Sequence, residues 1–195
     1  MHLRMMLALG LFLFSFSYLN AATYKLDADH STVGFKIKHI FSWVQGTFDT
    51  FEGSIEYDPE NPDGFSATAT IQAGSINTRV QKRDQHLQSP DFFDVEKYPT
   101  ITFSTVRLKH VTPEGAQLQG MLTLHGVEKL VILDLQFLGV ATDPWGNELA
   151  AFTAMTTIDR KDFGLTWNKV LETGGVLVGD EVVITLDVSA IRSAS

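Results

Sequence analysis

The densest cluster of groups able to move a proton or hold an anion is Arg83-Asp84-Gln85-His86. A carboxylate and an imidazole can act as general acid and base when they reach the same reacting atom. On a helix, near neighbours point apart, and positions three or four apart share a face. That spacing sets Arg83 beside Leu87 and suits a structural ion pair or an anchor for a ligand's polar head better than catalysis by Asp84 and His86. The other polar groups are scattered. Beyond His2 the histidines are His30, His39, His86, His110 and His125. His30 and His39 can flank one strand, but their spacing matches no zinc signature, so no metal is expected. The chain has no cysteine. Disulfides, thiol catalysis, cysteine-bound metals and lipid anchoring at a processed cysteine are therefore excluded. No Gly-x-Ser-x-Gly, P-loop or dinucleotide fingerprint is present. The glycine-rich stretch from Gly174 to Gly179 lacks a strand-to-helix context and reads as a turn entering the last strand. No catalytic residue and no catalytic cofactor are expected.

The groups that could bind must be positioned by an exported domain. Arg4 and the amino terminus give a positive start, Leu7 to Phe16 an apolar run broken only by Gly10 and Ser15, and Asn20-Ala21-Ala22 a small-residue exit. These are the three parts of a secretory signal peptide. The run is shorter than the roughly 20 residues a membrane span needs. Residues 1–22 are expected to be removed and residues 23–195 to form one domain, with the bacterial periplasm as its destination. Formal net charge is −8, and losing Arg4 makes the mature chain more acidic. No basic stretch can track phosphates, so nucleic acid is not an expected partner. An anionic membrane surface would repel so acidic a chain, which leaves at most transient membrane contact, and no stable anchor is expected.

After residue 22 the pattern is mostly period two, the signature of half-buried strands. Val33, Phe35 and Ile37 alternate with polar or small residues, as do Ile55 and Tyr57, Ala67, Ala69 and Ile71, and Ile101 and Phe103. Leu118, Gly120, Leu122 and Leu124 continue the alternation, followed by Val131, Leu133, Leu135 and Phe137. Phe152, Ala154, Thr156 and Ile158 come next, and Val182, Ile184, Leu186 and Val188 close the chain. About eight strands joined mostly by short turns favour an antiparallel meander. One stretch, Arg79 to Ser89, lacks alternation and is rich in helix formers. It predicts a short helix between strands 3 and 4, capped by Thr78, ended by Pro90, with Val80, Asp84 and Leu87 on one face. Asp159 to Gly175 is a second irregular stretch.

An eight-stranded barrel either fills its interior with side chains or encloses one small ligand. Small inward positions (Ala67, Ala69, Gly120, Ala154) opposite large ones can mean tight interdigitation or an apolar tunnel, and the pattern alone leaves both open. If a tunnel exists, its walls are Phe35, Ile37, Ile71, Ile101, Phe103, Leu122, Leu124, Leu133, Leu135, Phe152, Ile184 and Leu186. Arg83 and His86 are placed at its mouth.

Several segments together resemble the YceI-like family of lipocalin-like, polyisoprenoid-binding proteins. Asp29-His30-Ser31 leading into Val33-Gly34-Phe35, and Val44-Gln45-Gly46-Thr47-Phe48, look like its opening strands. Ser75-Ile76-Asn77-Thr78, Arg83-Asp84-Gln85-His86-Leu87 and Ser89-Pro90-Asp91-Phe92-Phe93-Asp94 follow in order. Tyr98 to Ser104, Gly120 to Val127 and Ile158 to Gly164 complete the match. The resemblance implies an all-β, antiparallel eight-stranded lipocalin-like barrel, often dimeric, with an isoprenoid chain inside. The expected function is periplasmic binding, storage or transport of a long polyisoprenoid or isoprenoid quinone. The alternatives are a barrel enzyme acting on an apolar substrate through Asp84 and His86, and an interaction protein with a packed core.

Overall fold

The computed structural model describes residues 21–172 and 174–193. The expected leader lies outside them apart from Ala21 and Ala22, so the expected cut after Ala22 falls at the first residue of the first strand. The strand segments are β1 (Ala22–Leu26), β2 (Thr32–His39), β3 (Ser42–Phe48), β4 (Phe51–Tyr57), β5 (Ser66–Gln72) and β6 (Ile76–Asn77). They continue with β7 (Thr100–Thr112), β8 (Gly115–Leu124), β9 (Val127–Thr142), β10 (Glu148–Asp159) and β11 (Val178–Arg192). One helix, α1 (Gln81–Gln88), stands between β6 and β7.

All pairings are antiparallel, and hydrogen bonds close a ring in the order β1-β4-β5-β7-β8-β9-β10-β11 and back to β1. The remaining segments β2, β3 and β6 extend one end of that ring from β11. Eight strands therefore make the barrel, three of them broken by a bend: β1 into β2, β3 into β4, and β5 into β6. The bends are stitched by polar side chains. Ser31 Oγ donates to the Ser189 carbonyl at 3.1 Å and accepts from the Ser189 N–H at 2.9 Å. Asp49 accepts from Thr47 Oγ1 at 2.7 Å and from Asn77 Nδ2 at 2.8 Å, tying β3 to β6 across the second bend. Each bend re-aims a strand at the cost of a few ladder bonds, which these side chains replace.

Beyond its third bend the sheet parts, because among the described residues β6 pairs only with β3. The helix packs against β6 there and covers an edge that would otherwise be left bare. It starts two residues later than Arg79, because Arg79 has a left-handed φ of +65°, outside the helical region. Val80 takes the cap position with no side-chain bond. Thr78 does not cap the helix; its hydroxyl and N–H turn to Asp84 instead. Nor do Val80, Asp84 and Leu87 share an inward face: Val80 is exposed, and the residues that the helix turns inward are Arg83, His86 and Leu87.

The barrel has two unlike ends. At one lie the β4–β5 loop, the β9–β10 turn and the last residues of β11. Tyr57, Phe65, Phe137 and Phe152 meet there, with Tyr57 edge-on to Phe152 at 5.1 Å and stacked on Phe137 at 5.4 Å. At the other end stand α1, the β2–β3 hairpin and the irregular chain from Arg160 to Leu177.

Candidate functional site

Period-two alternation sends one face of every strand into the barrel, and there the inward side chains divide into two sets. Those of β8, β9 and β10, among them Leu118, Leu122, Leu133, Leu135 and Ala154, are buried. Those of β2, β5 and β11, among them Val33, Phe35, Ile37, Ile71, Ile184 and Leu186, are only half-buried although they point inward. A solid core would bury both sets to native density. The remaining surface borders a cavity of about 390 Å³ that is not fully enclosed, within the usual size range of small-molecule sites.

Every expected wall residue lines this cavity. Phe35 and Ile37 come from β2, Ile71 from β5, and Ile101 and Phe103 from β7. Leu122 and Leu124 come from β8, Leu133 and Leu135 from β9, Phe152 from β10, and Ile184 and Leu186 from β11. Arg83 and His86 reach it from α1. Of the small inward residues, Ala67, Ala69 and Ala154 leave room, but Gly120 does not. The Phe103 ring lies over it, so a Cβ there would sit 2.2 Å from that ring. Gly46 is covered by Phe35 in the same way, at 2.6 Å. Interdigitation and open tunnel thus occur in one barrel, at different levels.

The polar groups of the lining gather mainly at the helix end. Arg83 Nε donates to Thr78 Oγ1 at 2.7 Å and Nη2 to the Thr78 carbonyl at 2.8 Å. The Thr78 hydroxyl donates in turn to Asp84 Oδ1, which also accepts from the Thr78 N–H at 2.9 Å. His86 Nε2 lies 2.9 Å from Asp91 Oδ2, and its ring meets Phe92 and Trp167 edge-on, centroids 5.1 and 4.9 Å away. Asp84 and His86 are not bonded to each other; each is held by a different partner, and of the two only His86 lines the cavity. Among the described residues no group of three or more His, Asp or Glu side chains could hold a metal ion.

Among the lining residues that the sequence argument missed, Arg160 and Trp167 are the most informative. Arg160 is 3% exposed. It donates to the Gly179 carbonyl at 2.8 Å and to the Leu165 carbonyl, and reaches Asp180 at 3.5 Å. Burial holds its pKa below the usual arginine value, with Asp180 and Asp159 opposing. These bonds fasten the chain after β10 to the start of β11. Its signal was present, since Phe152, Ala154, Thr156 and Ile158 point inward and the same parity continues to Arg160. Trp167, its ring tilted against Phe92 with centroids 5.0 Å apart, sits in chain without periodicity and had no such signal.

At the opposite end the Tyr24 hydroxyl donates to Glu148 at 2.6 Å, and Arg192 holds the same carboxylate at 3.0 Å. Burial, and then the Glu148 bond, push the Tyr24 phenol up to about 12. The Tyr24 bond chiefly keeps Glu148 below the usual carboxylate range.

A family profile described as the YceI-like domain matches residues 24–190. A UPF0312 protein of Pseudomonas paraeruginosa is 39% identical over 189 residues, 95% of each chain. One from Pectobacterium carotovorum is 41% identical over 149 residues, 75% of this chain and 77% of the other. Among solved structures, a YCEI protein of Campylobacter jejuni aligns with a TM-score of 0.70 at 35% identity, covering 87% of this chain and 97% of its own. A polyisoprenoid-binding domain from Saccharophagus degradans shares the fold with a TM-score of 0.64 at 16% identity, covering 89% and 99%.

Proposed function

The chain belongs to the YceI-like family, and from that premise we propose that it is a carrier, holding a long apolar lipid in its barrel rather than transforming it. The observation that carries this reading is the half-buried apolar wall of β2, β5 and β11 facing a cavity inside a closed barrel. Apolar surface kept from neighbours within a fold is surface available to a guest. Burying it gains roughly 25 cal/mol per Å². A chain of several prenyl units covering a few hundred Å² would gain about 10 kcal/mol before ordering costs are subtracted. The deep walls offer almost no polar partner, which favours an isoprenoid tail. The mouth offers Arg83, His86 and Trp167 to a head group, which suits an isoprenoid quinone or a polar-headed polyisoprenoid. A domain of this fold binds polyisoprenoid in Saccharophagus degradans, which agrees with the same reading. Asp84 and His86, engaged apart, give the enzyme alternative no catalytic pair.

Export by cleavage near Ala22 and residence in the periplasm belong to the same proposal, supported by the leader-like residues 1–22. Native mass spectrometry of protein purified from its own host tests the cargo. The expected result is an added mass equal to a prenyl lipid or quinone. Ala69→Phe or Ala154→Phe should expel it from a barrel that stays folded, since overpacking of this kind costs about 1–3 kcal/mol. Protein that is ligand-free and takes up no prenyl lipid when offered one would overturn the reading.

A further inference from the structure

The rim of the mouth carries apolar side chains that the cavity does not use. Ile40 and Phe41 form the two-residue tip between β2 and β3, and Phe41 is 92% exposed. Trp43, two residues beyond Phe41 and on the outer face with Lys36 and Lys38, is half exposed and outside the lining. The Ile40 N–H donates to the Leu177 carbonyl at 3.1 Å. This places the tip beside a second small hairpin in which Val170 bridges Val176, both exposed. Leu177 and His39 line the cavity, so this apolar rim is continuous with the lumen.

Turn chemistry at the tip runs against stability. Ile40 has a left-handed φ of +52°, a genuine outlier for a β-branched residue. Two-residue hairpin turns with positive φ favour Asn-Gly or a leading Gly. Here the strained position and the one after it hold Ile and Phe, both turned to solvent. A backbone outlier of this kind points to a function for the side chains it presents. Charge adds to the pattern. Lys36 and Lys38 lie over the Trp43 ring, 5.4 and 5.1 Å from its centroid, and Lys169 is exposed on the neighbouring hairpin. Of the nearby carboxylates, Asp180 is paired with Lys161 and Arg160, while Glu172 and Glu181 are exposed.

We propose that this rim docks on an anionic lipid bilayer, with Ile40, Phe41 and Trp43 entering the headgroup region and Lys36 and Lys38 meeting lipid phosphates. An aromatic belt flanked by lysine is the composition that settles at such an interface. It contrasts with the acidic balance of the whole chain, so electrostatics would orient the mouth towards the membrane. The inference rests on the carrier reading for its purpose, since a prenyl lipid entering or leaving the barrel must cross from a bilayer with little exposure to water.

Vesicle flotation of the lipid-loaded protein tests it. Vesicles of phosphatidylethanolamine and phosphatidylglycerol, three to one, should carry the protein up the gradient, and phosphatidylcholine alone should carry less. Phe41→Ser with Trp43→Ser should weaken binding by at least about tenfold, the loss expected for withdrawing buried aromatic surface. Lys36→Glu with Lys38→Glu should weaken binding to the anionic vesicles only, as should added salt. Trp145→Ser, removing an aromatic that is 84% exposed at the opposite end, should change nothing. The tip variants should still carry lipid by native mass spectrometry. Wild-type protein that stays in the soluble fraction overturns docking, as does a Trp145→Ser loss equal to that of the tip. A tip pair that instead turns a dimer into a monomer on size exclusion, without vesicle binding, also overturns it. Retained lipid without flotation would sink docking and spare the carrier; flotation without lipid would do the reverse.

Discussion

The two ends of this barrel are built from the same strands and made for different tasks. At the β9–β10 end, Tyr57, Phe65, Phe137 and Phe152 close the lumen ring against ring, and Tyr24, Glu148 and Arg192 tie β1, β10 and β11 together. At the helix end the sheet parts beyond β5, polar groups bond to loops rather than across the ladder, and apolar side chains face solvent. A plug of aromatic rings is dense and finds its hydrogen bonds on the outside. A mouth must give up ladder bonds and packing to leave an opening. Stability should therefore be concentrated at the first end and ligand exchange at the second.

The largest expected effect lies in the plug. Phe152→Ala removes the ring that meets three other aromatics and should destabilise the fold by about 3–5 kcal/mol. Urea unfolding should show the midpoint falling with the slope unchanged. A loss below about 1 kcal/mol would mean that this end is not the clamp described. A smaller effect is expected at the mouth. Arg83→Ala breaks two charge-assisted bonds to Thr78, each on the order of 1.5–3 kcal/mol if fully lost. Because the site is partly wet, the cost should sit at the low end and appear as faster lipid release. Unchanged melting together with unchanged retention would remove Arg83 from both roles.

The smallest effect is at the Tyr24 bond, and it is pH-dependent. The folded phenol titrates at about 12 against an ordinary 10.0. Below pH 10 both states are protonated and the contribution is whole. Between 10 and about 12 the unfolded chain ionises first, so stability falls as pH rises. Tyr24→Phe should cost about 1 kcal/mol at neutral pH, since Arg192 still holds Glu148. It should also flatten part of that alkaline decline. The Tyr57 phenol, likewise pushed up by burial, should account for some of what remains. An alkaline melting profile identical to wild type would contradict this account.

Much of the barrel was legible in the chain. Side-chain alternation is a local property of extended backbone, so Phe35, Ile37, Leu133 and Ile184 declared their inward face without any knowledge of their partners. The helix was visible from its composition, but its start and cap were misread. The left-handed φ of Arg79 and the turn of Thr78 towards Asp84 depend on how β6 meets the helix. Arg83 and His86 could be placed at an end of the barrel, yet their partners could not be named. Thr78 is close in sequence, but Trp167 arrives from 81 positions away.

By itself, then, the sequence determined the class of fold, the number of barrel strands and which side chains face inward, since period and turn chemistry are written within a few residues. Only the tertiary structure decided which inward residues fill space and which border it. Phe103 over Gly120 and Phe35 over Gly46 fill the space at those glycines, while Ala69 and Ala154 border the cavity. Packing density depends on what stands opposite across the barrel, and those neighbours are set by ring closure and three bends rather than by any local pattern.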